Sequence, residues 1–357
     1  MALKRRLDGV LVMSKYSEIA NLIKEEIKNG VYAKGAKLPT EYELVERFNA
    51  SRQTVRQAIA SLKNEGIVYQ VQGSGTYVNS PTKKKKAEGS ALNIQVISTY
   101  ISDYIFPSII RGIERRLAKE NISIKLAATG NMVDRERAIL LQIINGTDTD
   151  AIIVEGTKTA IPNPNISLYN NISEMGIPIV FIHCAYPEIQ NPVVVGMDDY
   201  QGGKKAVEGL FNAGCKKIGA IFKSDDLQGL LRYKGFTESV IELGIGLENT
   251  AVRWFSTEDV AKDSFHVAPE QIKEFASYDG IVCYNDQIAT SFINDCALAQ
   301  LKIPQIVSFD KSSLSEVSAY KYISLSHKKD LIGEVAAEKA INMLAGKKES
   351  SVFFNWE

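Results

Sequence analysis

The chain has few of the residues that mark metal-binding or disulfide-rich proteins. Its 357 residues include only four cysteines and three histidines. These are Cys184, Cys215, Cys283, Cys296, His183, His266 and His327. No two cysteines have C-x-x-C spacing and the histidines are widely scattered, so we predict reduced thiols in or near a core, no metal and no other cofactor.

Membrane and secretion signals are also missing. No apolar run reaches the roughly 20 residues of a membrane-spanning helix. Residues 1–12 begin with basic residues but contain no long apolar region and no small-residue cleavage site. We therefore expect a cytoplasmic protein without membrane contact, whose natural start is either Met1 or Met13.

Motifs for nucleotide binding and catalysis do not occur where these functions need them. No G-x-G-x-x-G follows the first predicted strand of the long C-terminal region, and no Walker lysine motif is present. No Ser/His/Asp or paired-carboxylate spacing indicates a catalytic centre. The sequence therefore argues against an enzyme, an alternative that a turnover assay on pentoses would test.

Charge is balanced overall but unevenly distributed. The chain has 42 basic and 42 acidic residues, yet residues 1–86 hold 16 Lys and Arg against 8 Asp and Glu. A basic N-terminal head on an acidic body fits a polyanionic partner for the head alone. Chance surface charge is the alternative, because four of the eight excess charges are the lysine run 83–86.

Residues 14–80 have the pattern of a helix-turn-helix followed by a β-hairpin. Thr40 is placed to cap one helix, and Ser51 is placed to cap a second helix whose apolar residues recur at helical spacing. A Gly73-Ser74-Gly75 turn then joins two β-rich segments. Arg52 and Arg56 remain on the outside of the second helix, where guanidinium groups can bridge two guanine acceptors in the major groove. Alone, these arginines are also consistent with a solvated helix face.

This region resembles the GntR family of winged helix-turn-helix regulators. The matching segments are Lys37-Leu-Pro-Thr-Glu41, Ser51-Arg52, Val55-Arg56, Gly66 and Gly73-x-Gly-Thr-Tyr-Val78. One position departs from the family, because many members have an arginine where this chain has Tyr42. The predicted DNA-binding residues are Thr40, Glu41, Ser51, Arg52, Gln53, Thr54, Arg56, Gln72, Gly73 and Gly75.

Residues 81–91 are polar and charged and have no periodicity, which predicts a flexible linker. Its four lysines are either solvated or in contact with phosphate. From residue 92 to 357, short apolar runs alternate with amphipathic helices, which predicts a parallel α/β architecture. The predicted strands cover residues 94–97, 122–126, 151–154, 177–182, 193–195, 217–222, 280–283 and 305–309.

Polar side chains follow four of these strands, and ligands of parallel sheets bind beyond the carboxyl ends of strands. They are Glu155, His183, the pair Asn285-Asp286, and Asp310. Carboxylates and amides suit sugar hydroxyls, and Trp254 with Phe255 is a candidate aromatic face for a sugar ring. Each residue alone is also explained as a turn or cap residue, above all Asn285-Asp286 at the start of a helix.

The body resembles the periplasmic-binding-protein-like effector domain of the LacI/GalR repressors over residues 92–357. The resemblance rests on Pro107-x-x-x-x-Gly112-Ile-Glu114, Asp198-Asp-Tyr-Gln-Gly-Gly203, the stretch 229–236, Asn285-Asp286-Gln-x-Ala289 and Ser308-Phe-Asp310. It implies two subdomains joined by three crossings, near residues 196–198, 310 and 324–327. It also implies that Arg232 and Asp286 hold sugar hydroxyls. The predicted effector-binding residues are Tyr104, Glu155, His183, Arg232, Trp254, Phe255, Asp286 and Asp310.

The fold class is therefore predicted as α/β, with a winged helix-turn-helix domain before a two-subdomain, parallel α/β periplasmic-binding-protein-like domain. This pairing, with Ile152-Ile-Val-Glu155-Gly-Thr-Lys158 and Pro162-Asn-Pro-Asn165, resembles the arabinose repressors of Gram-positive bacteria. The resemblance implies a homodimeric repressor of sugar-utilisation genes that L-arabinose releases from operator double-stranded DNA. At Tyr104-Ile-Phe106 this chain has bulky residues where the resembled proteins typically have a polar cluster. A related sugar, another pentose or a nucleoside therefore remains an alternative to L-arabinose as the effector. An activator and a transport-type sugar-binding protein remain alternatives as well.

Overall fold

A computed structural model describes residues 14–33, 35–71, 74–79, 91–102, 104–146, 148–260, 266 and 269–357. The described residues divide into two units by the density of their contacts. The first unit holds those up to residue 79 together with 137–146 and 165–176, and the second unit holds the rest. The predicted linker lies outside the described residues except for Ala91, as do both candidate start residues, so these boundaries stay predictions.

The N-terminal part is a winged helix-turn-helix. Its elements are α1 (Lys15–Lys28), α2 (Glu41–Phe48), α3 (Arg52–Asn64), β1 (Val68–Val71) and β2 (Gly75–Val78). The two strands pair antiparallel, with Val71 opposite Gly75 at the tip. This confirms the predicted helix-turn-helix and hairpin.

Sequence determines the ends and the buried face of the recognition helix α3. The Ser51 hydroxyl caps it by accepting from the Thr54 backbone N–H at 3.1 Å. Four apolar residues of α3 then pack into the head's core: Val55, Ala58, Ile59 and Leu62. Before it, Asn49 ends α2 in a left-handed conformation, a φ that asparagine tolerates better than most residues. The polar face of α3 is therefore left outside.

The second unit contains two parallel sheets. The strands of the first sheet are β3 (Asn93–Ser98), β4 (Ser123–Ala128), β5 (Ala151–Val154), β6 (Ile179–Ile182), β7 (Val193–Met197) and β13 (Val352–Phe354). Their order is β13-β7-β6-β5-β3-β4. The helices α4 (Phe106–Ala118) and α13 (Lys329–Leu344) lie in this unit, whereas α6 (Ile166–Glu174) and most of α5 (Val133–Asn145) belong to the first unit. The first sheet with α4 and α13 is called the first subdomain.

The second subdomain is built on the other sheet, whose order is β12-β11-β10-β8-β9. Its strands are β8 (Ile218–Lys223), β9 (Thr250–Phe255), β10 (Gly280–Cys283), β11 (Gln305–Phe309) and β12 (Ile323–Leu325). Its helices are α7 (Asp199–Asn212), α8 (Leu227–Glu242), α9 (Thr257–Val260), α10 (Pro269–Ala276), α11 (Asp286–Leu298) and α12 (Ser313–Val317), with a short 3-10 turn at Leu247–Asn249. All pairings within both sheets are parallel.

Glycines allow α7 and α8 to approach closely and so determine where Arg232 lies. A Cβ added at Gly203 on α7 would lie 2.1 Å from the Arg232 backbone oxygen on α8. A Cβ at Gly235 on α8 would lie 2.0 Å from the Tyr200 oxygen on α7. Any larger residue at either position would push the helices apart. Gly203 and Gly235 therefore have a packing role that fixes the backbone carrying Arg232.

The chain crosses between the subdomains three times, but one predicted crossing is wrong. The first crossing follows β7 and the second lies between β12 and α13, as predicted. Asp310 is not a crossing, because β11 and β12 belong to the same sheet. The third crossing is instead C-terminal to β13, where the Trp356 ring packs 5.0 Å from the Phe309 ring. Ser326 and Glu357 exchange two backbone hydrogen bonds of 2.9 and 3.0 Å, which joins the second and third crossings.

The eight predicted strands are confirmed to within three residues at each end, and the structure adds β9, β12 and β13. β12 and β13 have only three residues each, too few for a periodic signal. All four cysteines are buried and unpaired, as predicted.

Candidate functional site

One exposed surface of the head brings the predicted DNA-binding arginines together. Glu41, the first residue of α2, accepts from Arg56 Nε at 2.9 Å and from Arg52 Nε at 3.2 Å. The side chains of Arg52 and Arg56 are 65% and 58% exposed, so both guanidinium groups are accessible to a partner. Burial acts to raise the pKa of Glu41, but the hydrogen bonds from Arg56 and Arg52 outweigh it and lower the pKa. Glu41 therefore stays ionised and holds both guanidinium groups.

The other predicted head residues fall into two groups. Thr40 forms a capping box with Glu43, and the Ser51 and Thr54 hydroxyls lie 2.8 Å apart at the start of α3. Gln53 is exposed on α3. Gly75 begins β2 at φ +139°, while Gln72 and Gly73 lie outside the described residues. A DNA-contact role for each of these residues stays a prediction.

A cleft of about 500 Å³ lies between the two subdomains at the carboxyl ends of their strands. Six of the eight predicted effector-binding residues line it: Tyr104, Glu155, His183, Arg232, Phe255 and Asp310. Other polar residues on its wall are Thr99, Asn131, Lys223, Asp226, Asn285 and Gln287. The polar residues that follow the predicted strands β5, β6 and β11 therefore lie on one cleft, at the carboxyl ends of both sheets.

Glu155 and His183 form a buried pair on the first-subdomain wall. His183 Nδ1 lies 3.0 Å from Glu155 Oε1, and the other carboxylate oxygen accepts from the Thr99 backbone N–H at 2.8 Å and from the Thr99 hydroxyl. Burial favours the neutral form of both groups. Their mutual hydrogen bond and charge outweigh it, lowering the pKa of Glu155 and raising that of His183. The wall thus presents a paired, oriented carboxylate and imidazole.

Arg232 is held inside the second subdomain by both a carboxylate and aromatic rings. Its Nε donates to Asp199 at 2.8 Å and its Nη1 donates to the Tyr284 backbone oxygen at 2.5 Å. The guanidinium carbon lies 4.2 Å from the Phe309 ring centre and 5.0 Å from that of Trp356. Burial opposes its charge, but Asp199 and further anionic neighbours raise the pKa of Arg232 above its usual value. Arg232 is therefore a fixed, permanent cation on the wall.

Tyr104 reaches from the first subdomain to the second. Its hydroxyl accepts from the Asp286 backbone N–H at 3.1 Å and lies near the Asp310 carboxylate. Burial, with the nearby charge of Asp310, raises the pKa of Tyr104 well above its usual value, so the phenol stays protonated. Burial also opposes ionisation of Asp310, but His327 and Arg232 overcome it and lower the pKa of Asp310 to about 2.

The expectation that the Asp286 carboxylate faces the cleft is wrong. Asp286 is fully buried and is not on the lining. Its carboxylate accepts from the Ser312 N–H and hydroxyl at 2.7 and 2.8 Å, and from the Ser324 hydroxyl at 2.7 Å. Asn285 is the residue that caps α11, by accepting from the Ile288 N–H at 3.0 Å. The Asp286 side chain therefore turns toward the loop after β11, which holds Ser312, and toward β12, which holds Ser324.

The expectation that Trp254 and Phe255 form one aromatic face is also wrong for Trp254. Neighbouring residues of a strand point to opposite faces, and both lie in β9. Phe255 is buried and lines the cleft, whereas Trp254 packs 4.9 Å from the Tyr233 ring and is not on the lining. Phe106, from the start of α4, is the second phenylalanine that lines the cleft.

Sequence reasoning missed a charged cluster on the second-subdomain wall. Lys223 Nζ lies 3.1 Å from Asp226 Oδ2, which also accepts from the Tyr284 hydroxyl at 2.6 Å. Lys223 ends β8 and Asp226 caps α8. The strand-end rule that found Glu155 would also have found this pair if it had been applied to β8.

Two negative findings apply to the residues that the structure describes. No group of three or more histidine, cysteine, aspartate or glutamate side chains there is arranged to hold a metal ion. Among those same residues, no helix is long and apolar enough to cross a membrane.

Comparisons with known proteins agree with this two-part architecture. Residues 15–78 match the model of the GntR family of bacterial regulatory proteins, and residues 207–352 match a periplasmic binding protein-like domain. The chain is 36% identical to the arabinose metabolism transcriptional repressor of Halalkalibacterium halodurans over 342 residues, which cover 94% of this chain and 91% of the relative. It is 34% identical to the protein of the same description from Geobacillus stearothermophilus, covering 93% of this chain and 92% of the relative.

Solved structures share the fold. A complex of the transcriptional regulator CelR with cellobiose superposes with a TM-score of 0.65 at 16% identity, covering 86% of this chain and 90% of that one. A periplasmic binding protein/LacI transcriptional regulator from Alkaliphilus metalliredigens, complexed with D-xylulofuranose, gives 0.62 at 19% identity, covering 75% and 97%. At these identities the likeness establishes the fold alone.

Proposed function

The chain belongs to the family of the arabinose metabolism transcriptional repressors, and we propose that it represses sugar-utilisation genes until a small neutral sugar releases it from operator DNA. L-Arabinose is the first candidate for that sugar, as the names of these relatives indicate. No step in this role is catalytic. The observation that carries the proposal is the cleft between the two subdomains, whose lining combines paired charges and polar side chains with aromatic surface.

The cleft favours an uncharged ligand because its charges are already paired. His183 faces Glu155 at 3.0 Å and Lys223 faces Asp226 at 3.1 Å. The third cation on the wall, Arg232, has Asp199 at 2.8 Å and lowers the pKa of Asp310. A phosphorylated or acidic sugar would add an anion without a spare cation to compensate it, and burying an unpaired charge is costly. A neutral polyol needs only hydrogen bonds.

The chemistry of the lining suits sugar hydroxyls. Carboxylates such as Glu155 and Asp226 accept two or more hydrogen bonds, whereas the amides of Asn285 and Gln287 both donate and accept. Phe106 and Phe255 add apolar surface for the C–H face of a ring. The cleft volume of about 500 Å³ is in the usual range for small-molecule sites.

In the head, Arg52 and Arg56 are proposed to read bases, with Glu41 as a positioning residue. A carboxylate repels phosphate, so we do not assign Glu41 a backbone contact. Its hydrogen bonds to both arginines restrict their side chains before DNA binds. Each guanidinium therefore loses less conformational entropy when it binds a guanine. Ser51, Thr54 and the wing with Gly75 are proposed to contact phosphates.

We further propose that the protein acts as a homodimer in the cytoplasm. Two heads on a two-fold axis would bind a palindromic operator, as helix-turn-helix dimers do. Sugar binding would favour one angle between the subdomains and thereby change the operator affinity. By linkage, operator DNA must weaken sugar binding by the same factor.

A thermal-shift screen of the full chain tests the proposed effector class. L-Arabinose, D-xylose, D-ribose, uridine and L-arabinose 5-phosphate would be compared at equal concentration. A specific ligand at about 100 times its dissociation constant stabilises the native state by about 2.7 kcal/mol. Stabilisation by a neutral sugar and not by the phosphate supports the proposal, and stabilisation by the phosphate alone contradicts it.

A further inference from the structure

The mouth of the cleft is crossed by an ion pair between the two subdomains. Lys158, four residues after β5 in the first subdomain, places its Nζ against the Glu258 carboxylate of the second. The same Nζ lies 3.6 Å from Asp225 Oδ2, also in the second subdomain. Lys158 is absent from the cleft lining, so this contact does not involve the proposed effector-binding wall.

Two further hydrogen bonds cross at the same place. Asn131 Nδ2 donates to the Thr257 hydroxyl at 2.5 Å, and the Leu227 backbone N–H donates to the Thr159 hydroxyl at 2.9 Å. Asn131 and Thr159 belong to the first subdomain, and Thr257 and Leu227 to the second. Three direct contacts therefore join the two subdomains at the mouth, each made by residues from a short segment of either subdomain.

The conformation of Lys158 is coupled to these contacts. Its backbone is left-handed, with φ +49°, which a non-glycine residue adopts only when its surroundings hold it there. The Lys158 N–H donates to Asn131 Oδ1 at 2.9 Å, so Asn131 holds the Lys158 backbone while its amide nitrogen bonds Thr257. Opening the cleft would not leave Asp225 without a cation, because Lys223 Nζ lies 3.5 Å from its Oδ1. The contact can therefore break and re-form at modest cost.

We infer that Lys158 acts with Asp225 and Glu258 as a mouth latch that stabilises the closed cleft from outside the effector-binding lining. The Asn131–Thr257 hydrogen bond, which lies on that lining, supports the Lys158 backbone. Lys158 is then a positioning residue for the response to sugar, because closure is the step that sugar binding favours. The inference rests on the proposed function only in using a sugar to report closure.

The first test measures L-arabinose affinity of the full chain by titration calorimetry. Lys158→Gln should weaken binding about two- to fivefold, the range of partly exposed ion pairs. Glu258→Gln should weaken it less, and the double variant should be no weaker than Lys158→Gln alone. Every sugar that the wild type binds should lose affinity by the same factor, because Lys158 contacts none of them.

Lys204 offers a matched control for this titration. It pairs with Glu242 at 2.6 Å within the second subdomain, and its side chain is 18% exposed, against 17% for Lys158. Lys204→Gln removes an equal charge and an ion pair but nothing that crosses the cleft. Wild-type affinity in Lys158→Gln, or an equal loss in Lys204→Gln, would overturn the latch.

A second readout needs no sugar and separates failure of the latch from failure of the proposed function. Spin labels on cysteines introduced at Ile161 and Leu230, which are exposed residues of the two subdomains, report the distance across the mouth. The four native cysteines are buried. Lys158→Gln should shift the distribution to longer distances than the wild type and Lys204→Gln. If the wild type binds no sugar, the effector proposal fails while the latch can still be tested. Identical distance distributions in the wild type and Lys158→Gln would refute the latch.

Discussion

The Tyr104 hydroxyl accepts a hydrogen bond of 3.1 Å from the Asp286 backbone N–H, and so joins the first subdomain to the start of α11 in the second. The same hydroxyl lies near the Asp310 carboxylate, whose Oδ1 is 3.5 Å from His327 Nε2 at the second crossing. One phenol therefore connects the first subdomain, a strand end of the second and the hinge between them. Closure of the inner end of the cleft should depend on it.

Removing that hydroxyl should weaken the response to sugar and leave DNA binding intact. Tyr104→Phe keeps the ring but loses the hydrogen bond that the hydroxyl accepts across the cleft from the Asp286 backbone N–H. A hydrogen bond contributes about 0.5–1.5 kcal/mol, so the sugar concentration needed for half-release of DNA should rise about two- to tenfold. A DNA-binding titration at increasing L-arabinose concentration measures this.

Tyr320→Phe is the control for that variant. The Tyr320 hydroxyl bonds to the backbone oxygens of Ile303 and Pro304 at 3.2 and 3.0 Å, entirely within the second subdomain. It should lower stability slightly without changing the half-release concentration. If the two variants respond alike, the bridging role of Tyr104 is wrong.

Arg52→Ala should cost about 1–3 kcal/mol of operator affinity and relax base preference at one position in each half-site. The physical reason is loss of a guanidinium that Glu41 holds at the exposed start of α3. Lys63→Ala removes an equal charge in the last turn of α3 and should leave base preference unchanged. Binding selection from a random DNA pool compares the variants, and unchanged preference in Arg52→Ala would exclude a base contact.

Ionisation of Asp310 should make the free energy of unfolding of the effector domain depend on pH in the acidic range. Because its folded pKa, about 2, lies below the unfolded value of about 3.9, its ionised form stabilises the folded state at neutral pH. This contribution, about 2–3 kcal/mol, is complete above about pH 5 and is lost as pH falls toward 2. The difference in melting temperature between wild type and Asp310→Asn should therefore shrink below pH 4. A constant difference down to pH 2 would contradict the assignment.

Asp286→Ala should destabilise the fold more than it disturbs sugar contacts. Three donors from Ser312 and Ser324 lose their charged acceptor inside the protein. Each hydrogen bond to a charged group contributes about 1.5–3 kcal/mol, so a clear drop in melting temperature is expected. Gln287→Ala, an exposed cleft residue, should do the reverse and lower sugar affinity at nearly unchanged melting temperature. Equal effects on both quantities in both variants would refute this division.

Local sequence rules predicted the architecture well because periodicity, caps and strand ends are local properties. Ser51 caps α3 as expected, and Glu155 and His183 meet at one sheet edge because parallel strands β5 and β6 end together. Asp310 follows a strand of the other sheet and lines the same cleft. The failures arose where orientation depends on partners distant in sequence. The carboxylate of Asp286 turns to Ser312 and Ser324, and Trp254 faces Tyr233, and neither direction is visible in the flanking residues. The third crossing was missed for the same reason, since the packing of Trp356 on Phe309 joins remote segments.

The most direct test of the account is the affinity of L-arabinose for the full chain, measured by calorimetry with and without saturating operator DNA obtained by selection from a random pool. The account predicts binding in both cases, weaker on DNA by the factor by which sugar weakens DNA binding, typically about 5- to 150-fold. Equal affinity with and without DNA, or no binding of L-arabinose to the DNA-free protein, would contradict it.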